Sequence, residues 1–422
     1  MSEPVNFITT LGQKQVWRKN RKDILNFILQ DEDRFEGMSI QVVFDSSFFN
    51  SYFWRLFSSS FGLRPLHSAV EFHRYICKYL DEVIVHSIQI ANPLQFTLRT
   101  TALQPLRCHL RDQGVRFQNL LVTDIMFHPD SEPKTACSIQ GLNKRGPVLL
   151  PVGPEDILII TIGFSASGLS TGTTATAPPT VSAKAEMLLD PSWSLWYALA
   201  KKSPKFGNPS SFCTHLPDSR LGMFVIHLPR SDFDEIYTHL LETKPILYHE
   251  DETITHSSWS LKLVFPQQEE SVERPNGTRS ILGYCFTPDQ LGEHTRKPMH
   301  ACSGDEILAE VLGCLNLPPE GIILRARTVP YILPLGLSPL LKRDHGDRPE
   351  IIPPNTTNIA LVGQYVEIPE DTALMTEYSV RSAQLAVNRL MGPKMSLSEV
   401  HKSFLAARYG RKAGLDHVAS VA

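Results

Sequence analysis

Apolar side chains recur along much of the chain at spacings of three and four residues, the period of an amphipathic helix. Aromatic residues follow the same period through 42–61, which is more typical of a helical core than of a ligand platform. In the helix expected last along the chain, Val380, Ala383, Val387 and Leu390 should face inward. The pattern predicts helices near residues 22–29, 67–80, 102–113, 193–200, 303–315 and 376–391. Gly114 should cap the third of these in the left-handed conformation, and Ser303 and Glu306 form a capping-box pattern at the start of the fifth.

Two apolar runs, 157–162 (broken only by Thr161) and 359–362, predict strands, and each is followed by a glycine, Gly163 or Gly363. Uninterrupted apolar runs are typical of strands buried on both faces, so we expect these two to be neighbours in one parallel sheet. The Ser, Thr, Ala, Gly and Pro content of 164–183 predicts a loop or crossover. Further strands are predicted within 115–127, 223–228 and 259–265.

Composition places the chain among globular proteins of two to three domains, with 422 residues, 42% of them apolar and 20% charged. The 41 basic and 44 acidic side chains give a net charge of −3, which argues against a nucleic-acid partner. No apolar run approaches the roughly 18 residues of a membrane span, and the start of the sequence lacks the pattern of a signal peptide. Seven scattered cysteines without a C-x-x-C pair indicate reduced thiols, so we expect a cytoplasmic protein.

Candidate chemistry in the sequence is sparse. A strand that ends in glycine and leads to a helix N-terminus suits a pyrophosphate, but the G-x-G-x-x-G fingerprint is absent. The segment 163–168 approaches the G-x-S-x-G nucleophile elbow, yet Ser167 occupies its last position and the residues that follow do not favour a helix. No metal site is predicted, because the two closest histidine pairs are six residues apart: His67 with His73, and His294 with His300.

Longer motifs resemble the oleate hydratases, a family first named myosin-cross-reactive antigens. The strongest are 346–349 (GDRP), 358–369 (NIALVGQYVEIP) and 376–384 (TEYSVRSAQ). Shorter matches occur at 67–71 (HSAVE), 102–117, 206–209 (FGNP), 297–299 (KPM) and 302–306 (CSGDE). The resemblance runs from about residue 28 to 391, with its motifs in family order.

The resemblance implies an FAD-containing α/β fold and the addition of water to the cis double bond of a long-chain fatty acid. In the family a Tyr is expected to protonate the alkene and a Glu to activate water, while the flavin shapes the site. The implied partner is a long-chain fatty acyl substrate. Peripheral membrane contact and a homodimer remain open.

The sequence departs from the family pattern where catalysis is expected. The family's N-terminal Rossmann half, with its Gly-rich turn and catalytic Glu, has no counterpart, and 95–101 contains no Tyr. The catalytic residues are therefore unknown. A substrate-associated stretch aligns with Val264, Pro266 and Glu270, where Glu replaces a His and would repel a carboxylate.

For FAD, the resemblance carries over to Thr161 and Gly163 after one strand and to Gly363, Gln364 and Thr372 after the other. The expected fold is α/β, an incomplete Rossmann-like FAD-binding sheet with flanking helices plus a mixed helical and β substrate domain. Three hypotheses remain: a divergent hydratase, an inactive homologue that binds lipid or a partner, and an incomplete gene model. The predicted units are a polar segment (1–20), a mainly helical substrate region (21–100), an FAD-type sheet segment (101–185), a substrate domain (186–345), an FAD-type strand–loop–helix (346–392) and a flexible tail (393–422).

Overall fold

The described residues form a mixed α/β fold, with helices packed around three separate β-sheets. An FAD-type Rossmann-like sheet is not established by this architecture. No helix in the described part of the chain is long and apolar enough to cross a membrane. The computed structural model describes residues 17–86, 102–129, 132–179, 190–243, 251–254, 257–265, 277–393, 396–403 and 407.

The first described region is helical and is built around aromatic side chains. The Asp45 carboxylate accepts the N–H groups of Ser47 and Phe48 at one helix start, and Ser51 caps another. The prediction that the aromatic run forms core is confirmed, because most of its rings are buried in one cluster. Its helices are α1 (Trp17–Ile28), α2 (Ile40–Val43), α3 (Ser46–Phe49), α4 (Tyr52–Phe61) and α5 (Ala69–His86).

A small antiparallel sheet follows helix α6 (Gln104–Asp112). Gly114 has a φ of +85°, the left-handed conformation predicted after this helix. The sheet consists of β1 (Leu121–Phe127), β2 (Ala136–Asn143) and β3 (Gly146–Pro151), in that order.

The predicted parallel pair is confirmed. Strand β4 (Leu158–Thr161) pairs in parallel with β11 (Ile359–Val362), and Val362 lies opposite Thr161. The prediction that both strands are buried on both faces is confirmed for β11. It is wrong for the 157–162 run, where Ile157 and Ile159 are 38% and 44% exposed. The apolar run of β4 therefore covers the core on one face only.

The largest sheet contains six antiparallel strands: β5 (Ser170–Thr171), β6 (Leu221–Pro229), β7 (Asp251–Ile254), β8 (Leu261–Val264), β9 (Thr278–Cys285) and β10 (Arg327–Leu333). Their order in the sheet is β5-β10-β6-β9-β8-β7. The segment predicted as a loop differs in one respect, because its residues 170–171 form the short edge strand β5 against Tyr331 and Ile332.

The remaining helices flank the sheets. The capping box predicted at Ser303 and Glu306 is present at the start of the helix Gly304–Cys314. These helices are α7 (Pro191–Ala200), α8 (Ser210–Cys213), α9 (Leu216–Ser219), α10 (Arg230–Thr243), α11 (Gly304–Cys314), α12 (Pro319–Ile323) and α13 (Thr376–Met391).

Helix α13 has the predicted bounds, but its predicted inward face is only partly right. Leu390 packs against the core as expected, whereas Val380 is 54% exposed, and the fully buried residues are Tyr378, Ser382 and Ala386. Hydrogen bonds explain why the face of α13 that carries Tyr378 and Ser382 is the buried one. The Tyr378 hydroxyl bonds to the backbone at Val366 and Ile368, and Ser382 accepts the Gly363 N–H. Polar partners on the neighbouring loop thus select a different face from the one that apolar periodicity selects.

Candidate functional site

The ends of the parallel strands bring four of the residues predicted to contact FAD into one place. Thr161 is the last residue of β4, and a Cβ placed on Gly363 would lie 3.4 Å from the Thr161 Cγ2 atom. Gly163 and Gln364 follow directly along their strands. We define the strand-end rim as these four residues with two neighbours on the β4 side: Thr161, Gly163, Phe164, Ser165, Gly363 and Gln364.

The rim glycines are engaged by the protein itself. Gly163 has a φ of +64°, and a Cβ there would lie 2.5 Å from the ring of Tyr365. Gly363 has a φ of +113°, and its N–H donates to the Ser382 hydroxyl at 2.9 Å. A pyrophosphate cradle needs free N–H groups and open space beside glycine. The two glycines do not fit that part of FAD, and we derive no chemical step through the flavin.

The remaining polar groups of the rim form a short hydrogen-bonded chain. The Ser165 hydroxyl donates to Gln364 Oε1 at 3.0 Å, and Gln364 Nε2 donates to the Leu374 carbonyl at 3.3 Å. Thr161 is exposed beside them. Hydroxyl and amide groups of this kind can bond to ligand hydroxyls, but none of the six rim side chains ionises near neutral pH. The rim is suited to binding and not to proton transfer.

Thr372, the fifth predicted cofactor residue, is buried beside an ion cluster that reaches the surface at Glu377. Lys78 Nζ donates to Asp371 Oδ1 at 2.7 Å and to Thr372 Oγ1 at 3.4 Å, and it also pairs with Glu377. Tyr79 donates its hydroxyl to Glu377 Oε1 at 3.0 Å. Burial raises the pKa of Tyr79 to about 12, which keeps this donor protonated. The cluster ties α5 to the start of α13.

A second set of buried charges joins α5 to the loops before and after β11. We call it the central ion network: Glu32, Glu71, Arg74, Arg343, Arg348 and Glu367. Arg343 and Arg348 each place NH1 2.9 Å from Glu71 Oε1. Arg74 NH2 lies 2.7 Å from Glu32 and 2.6 Å from Glu367. Three cations thus face three carboxylates, and the network is electrically balanced.

The pKa of Glu367 reflects the positive charge of the arginines that surround it in this network. Burial opposes its ionisation, but the guanidinium groups of Arg74, Arg343 and Arg348 outweigh that effect and lower its pKa to about 2. Glu367 therefore stays ionised and keeps its salt bridges with Arg74 and Arg343. The sequence does carry a signal for the network. Glu71 and Arg74, together with Lys78 of the neighbouring cluster, recur at helical spacing on one side of α5. The apolar residues Phe72, Ile76 and Leu80 on its other side are fully buried.

The residues predicted to contact substrate are not brought to the rim. Val264 ends β8, pairs with Leu282 and belongs to the aromatic core cluster. The strands that carry the rim belong to another cluster, which contains Ile160 and Ile359. Pro266 and Glu270 lie outside the described residues. In the structure, Val264 is a core residue.

Other candidate groups have structural partners. His67 is fully buried, its Nδ1 accepts the Arg64 N–H at 3.0 Å, and its Nε2 lies 3.2 Å from the Asp218 carbonyl. Burial, reinforced by Arg64, lowers its pKa to about 3, so this histidine is neutral. Ser165 leads into turns and the short strand β5, not into the helix that a nucleophile elbow requires. Within the described ranges, no group of three or more His, Cys, Asp or Glu side chains could hold a metal ion.

Comparison with known proteins assigns the family. A sequence model of the MCRA family matches residues 6–388. The chain belongs to the MCRA family. It is 27% identical to an oleate hydratase of Streptococcus pyogenes serotype M49 (strain NZ131) over 386 residues, which cover 87% of this chain and 64% of that protein. It is 25% identical to a linoleate hydratase of Lactiplantibacillus plantarum over 397 residues, which cover 86% of this chain and 68% of that protein.

The chain thus spans about two thirds of the length of these relatives. Three of the motifs that suggested the MCRA family contribute residues to the central ion network. HSAVE contributes Glu71, GDRP contributes Arg348 and VEIP contributes Glu367. FGNP packs beside it, since the Asn208 N–H donates to the Asp347 carbonyl at 2.8 Å. In this chain HSAVE, GDRP and VEIP thus join α5 to the β11 region.

Proposed function

We propose that this chain has a hydratase-like function, the addition of water to the double bond of a long-chain unsaturated fatty acid or a similar acyl chain. The observation that carries the proposal is the match to an oleate hydratase and a linoleate hydratase over nearly nine tenths of this chain. Three of the matched motifs supply Glu71, Arg348 and Glu367 to the central ion network, which joins α5 to the loops before and after β11.

The rim supplies the cofactor side of the proposal. Thr161, Ser165 and Gln364 offer hydroxyl and amide groups where the parallel strands end, a position favoured for ligands in α/β folds. The rim glycines do not offer a pyrophosphate cradle. We therefore propose that FAD is held weakly, through hydrogen bonds from the rim to its flavin ring or to the hydroxyls of its sugars. When bound, the flavin would supply a planar, polarisable wall to the site.

One observation favours a second function, that of an inactive homologue that binds lipid or a protein partner. No rim side chain can donate or accept a proton near neutral pH, whereas hydration of an alkene needs an acid and a positioned water. Beside Thr372, the Tyr79 hydroxyl and the Glu377 carboxylate form an acid–base pair. The same carboxylate also binds Lys78, so the pair serves to join α5 to α13.

Incubation with oleate or linoleate, with and without added FAD, separates the two functions. Mass analysis would detect a product heavier by one water molecule, and displacement of a fluorescent fatty acid would measure binding independently. Product formation that depends on the folded chain supports the hydratase-like function. Fatty-acid binding without product supports the second function, and the absence of both refutes the lipid assignment.

Flavin affinity tests the rim directly. A titration of protein fluorescence with FAD should give weak quenching, and the chain should emerge colourless from gel filtration. Thr161→Val should weaken the remaining affinity, whereas Thr214→Val, at another exposed threonine, should not. A stoichiometric yellow complex that survives gel filtration would contradict weak binding.

A further inference from the structure

The segment 102–119 is the most uncovered part of the described chain that has regular structure. It contains α6 and the extended residues that lead to β1. Every residue in it except Leu110 is exposed. Leu103 and Leu106 are 52% and 53% exposed, and Val115 and Phe117 are 45% and 46% exposed. Isolated apolar residues on a surface are ordinary, but a contiguous set on one segment marks an interaction site.

The apolar side chains of this segment form a narrow strip with arginines along one side. At about 100° per residue, Leu103, Leu106 and Leu110 fall within roughly 60° of the α6 surface, and Arg107 and Arg111 fall next to them. The guanidinium carbons of Arg107 and Arg111 lie 5.2 and 5.5 Å from the centre of the Phe117 ring. The two cations therefore stand beside an exposed aromatic side chain.

The charge of this segment is opposite to that of the whole chain. Residues 102–119 contain Arg107, Arg111 and Arg116 against Asp112, a net charge of +2, while the chain carries −3. A basic, amphipathic and solvent-facing helix matches the chemistry of an anionic lipid surface. Its apolar side enters the acyl boundary, and its arginines reach the phosphate groups.

We propose that α6 and residues 113–119 form a docking surface for an anionic lipid membrane. Leu103, Leu106 and Phe117 insert at the headgroup level, and Arg107 and Arg111 pair with lipid phosphates. This surface is separate from the strand-end rim, and the proposal does not depend on hydratase activity. Lipid, and not a second copy of the chain, is the proposed occupant because the apolar strip is narrow and its arginines carry like charges that would face each other in a symmetric dimer.

Sedimentation with vesicles tests the proposal on the full chain. Vesicles of phosphatidylcholine with 30% phosphatidylglycerol should carry the protein down at low salt, and phosphatidylcholine alone should not. Near a membrane surface each arginine strengthens binding by about fivefold, so Arg107→Glu with Arg111→Glu should weaken it by roughly 30-fold or more. Leu103→Ser with Leu106→Ser should weaken binding at every salt concentration.

Matched controls replace similar side chains elsewhere. Arg327→Glu with Arg389→Glu makes the same charge change at exposed positions, and Leu324→Ser removes a leucine that is 87% exposed. Both controls should bind vesicles as the unaltered chain does, and circular dichroism should show all variants folded. Three results would overturn the proposal: equal binding to neutral vesicles, no binding to anionic ones, or a change in oligomeric state in the leucine variant without any lipid binding.

Discussion

Neutralising Glu71 should destabilise the protein far more than its single charge suggests. Its carboxylate has no exposed surface and faces Arg343 and Arg348 at 2.9 Å and Arg74 at 3.8 Å. Glu71→Gln keeps the shape and one acceptor oxygen but leaves three arginines against two carboxylates. Removal of one partner from a buried ion pair costs about 3–5 kcal/mol, because the remaining charge is desolvated and unpaired.

A second substitution distinguishes charge imbalance from a lost hydrogen bond. Arg348→Met alone leaves two arginines against three carboxylates and should also cost about 3–5 kcal/mol. Glu71→Gln combined with Arg348→Met restores balance at two against two. We therefore expect the double variant to be more stable than the sum of the single effects predicts, by about 1–3 kcal/mol.

Urea unfolding, followed by the fluorescence of the five tryptophans, gives the three free energies. Lys402→Gln is a control, because its pair with Glu370 is exposed and should contribute no more than about 1 kcal/mol. Strictly additive single and double variants would refute the argument from charge balance. A Glu71→Gln cost no larger than that of Lys402→Gln would refute the network as a structural joint.

Three further predictions concern protonation and backbone geometry. The pKa of Glu367 is lowered from 4.5 to about 2, so its ionised form stabilises the fold above pH 4.5, and this contribution should be lost as the pH falls towards 2. In Glu367→Gln the free energy of unfolding should therefore depend less on pH between 4.5 and 2. The pKa of His67 is lowered from 6.5 to about 3, so the neutral side chain favours the folded state above pH 6.5. Below that pH the free energy of unfolding should fall by up to about 1.4 kcal/mol per pH unit. Urea unfolding at a series of pH values should show a shallower fall for His67→Gln. Gly163→Ala should lower the thermal midpoint more than Gly114→Ala, because both positions have positive φ but only at Gly163 would the new Cβ meet the Tyr365 ring; equal losses would exclude the packing contribution.

The sequence alone determined the local elements and the family. The aromatic run predicted a helical core, Ser303 and Glu306 predicted a capped helix, and two apolar runs ending in glycine predicted a parallel pair. These features depend on short-range periodicity and on turn chemistry, which a sequence records directly. The family assignment likewise rested on contiguous motifs.

Only the tertiary structure decided what the motif residues do. Glu71, Arg348 and Glu367 are far apart in the sequence, and nothing local shows that they share one buried network. The inward face of α13 was also decided at a distance, since the Gly363 N–H needs the Ser382 hydroxyl, and Val380 is consequently left exposed. Local patterns fix where a chain bends and which residues are apolar. Long-range partners for buried charges and N–H groups decide which surfaces meet, because an unpaired polar group in the interior costs more than an exposed valine.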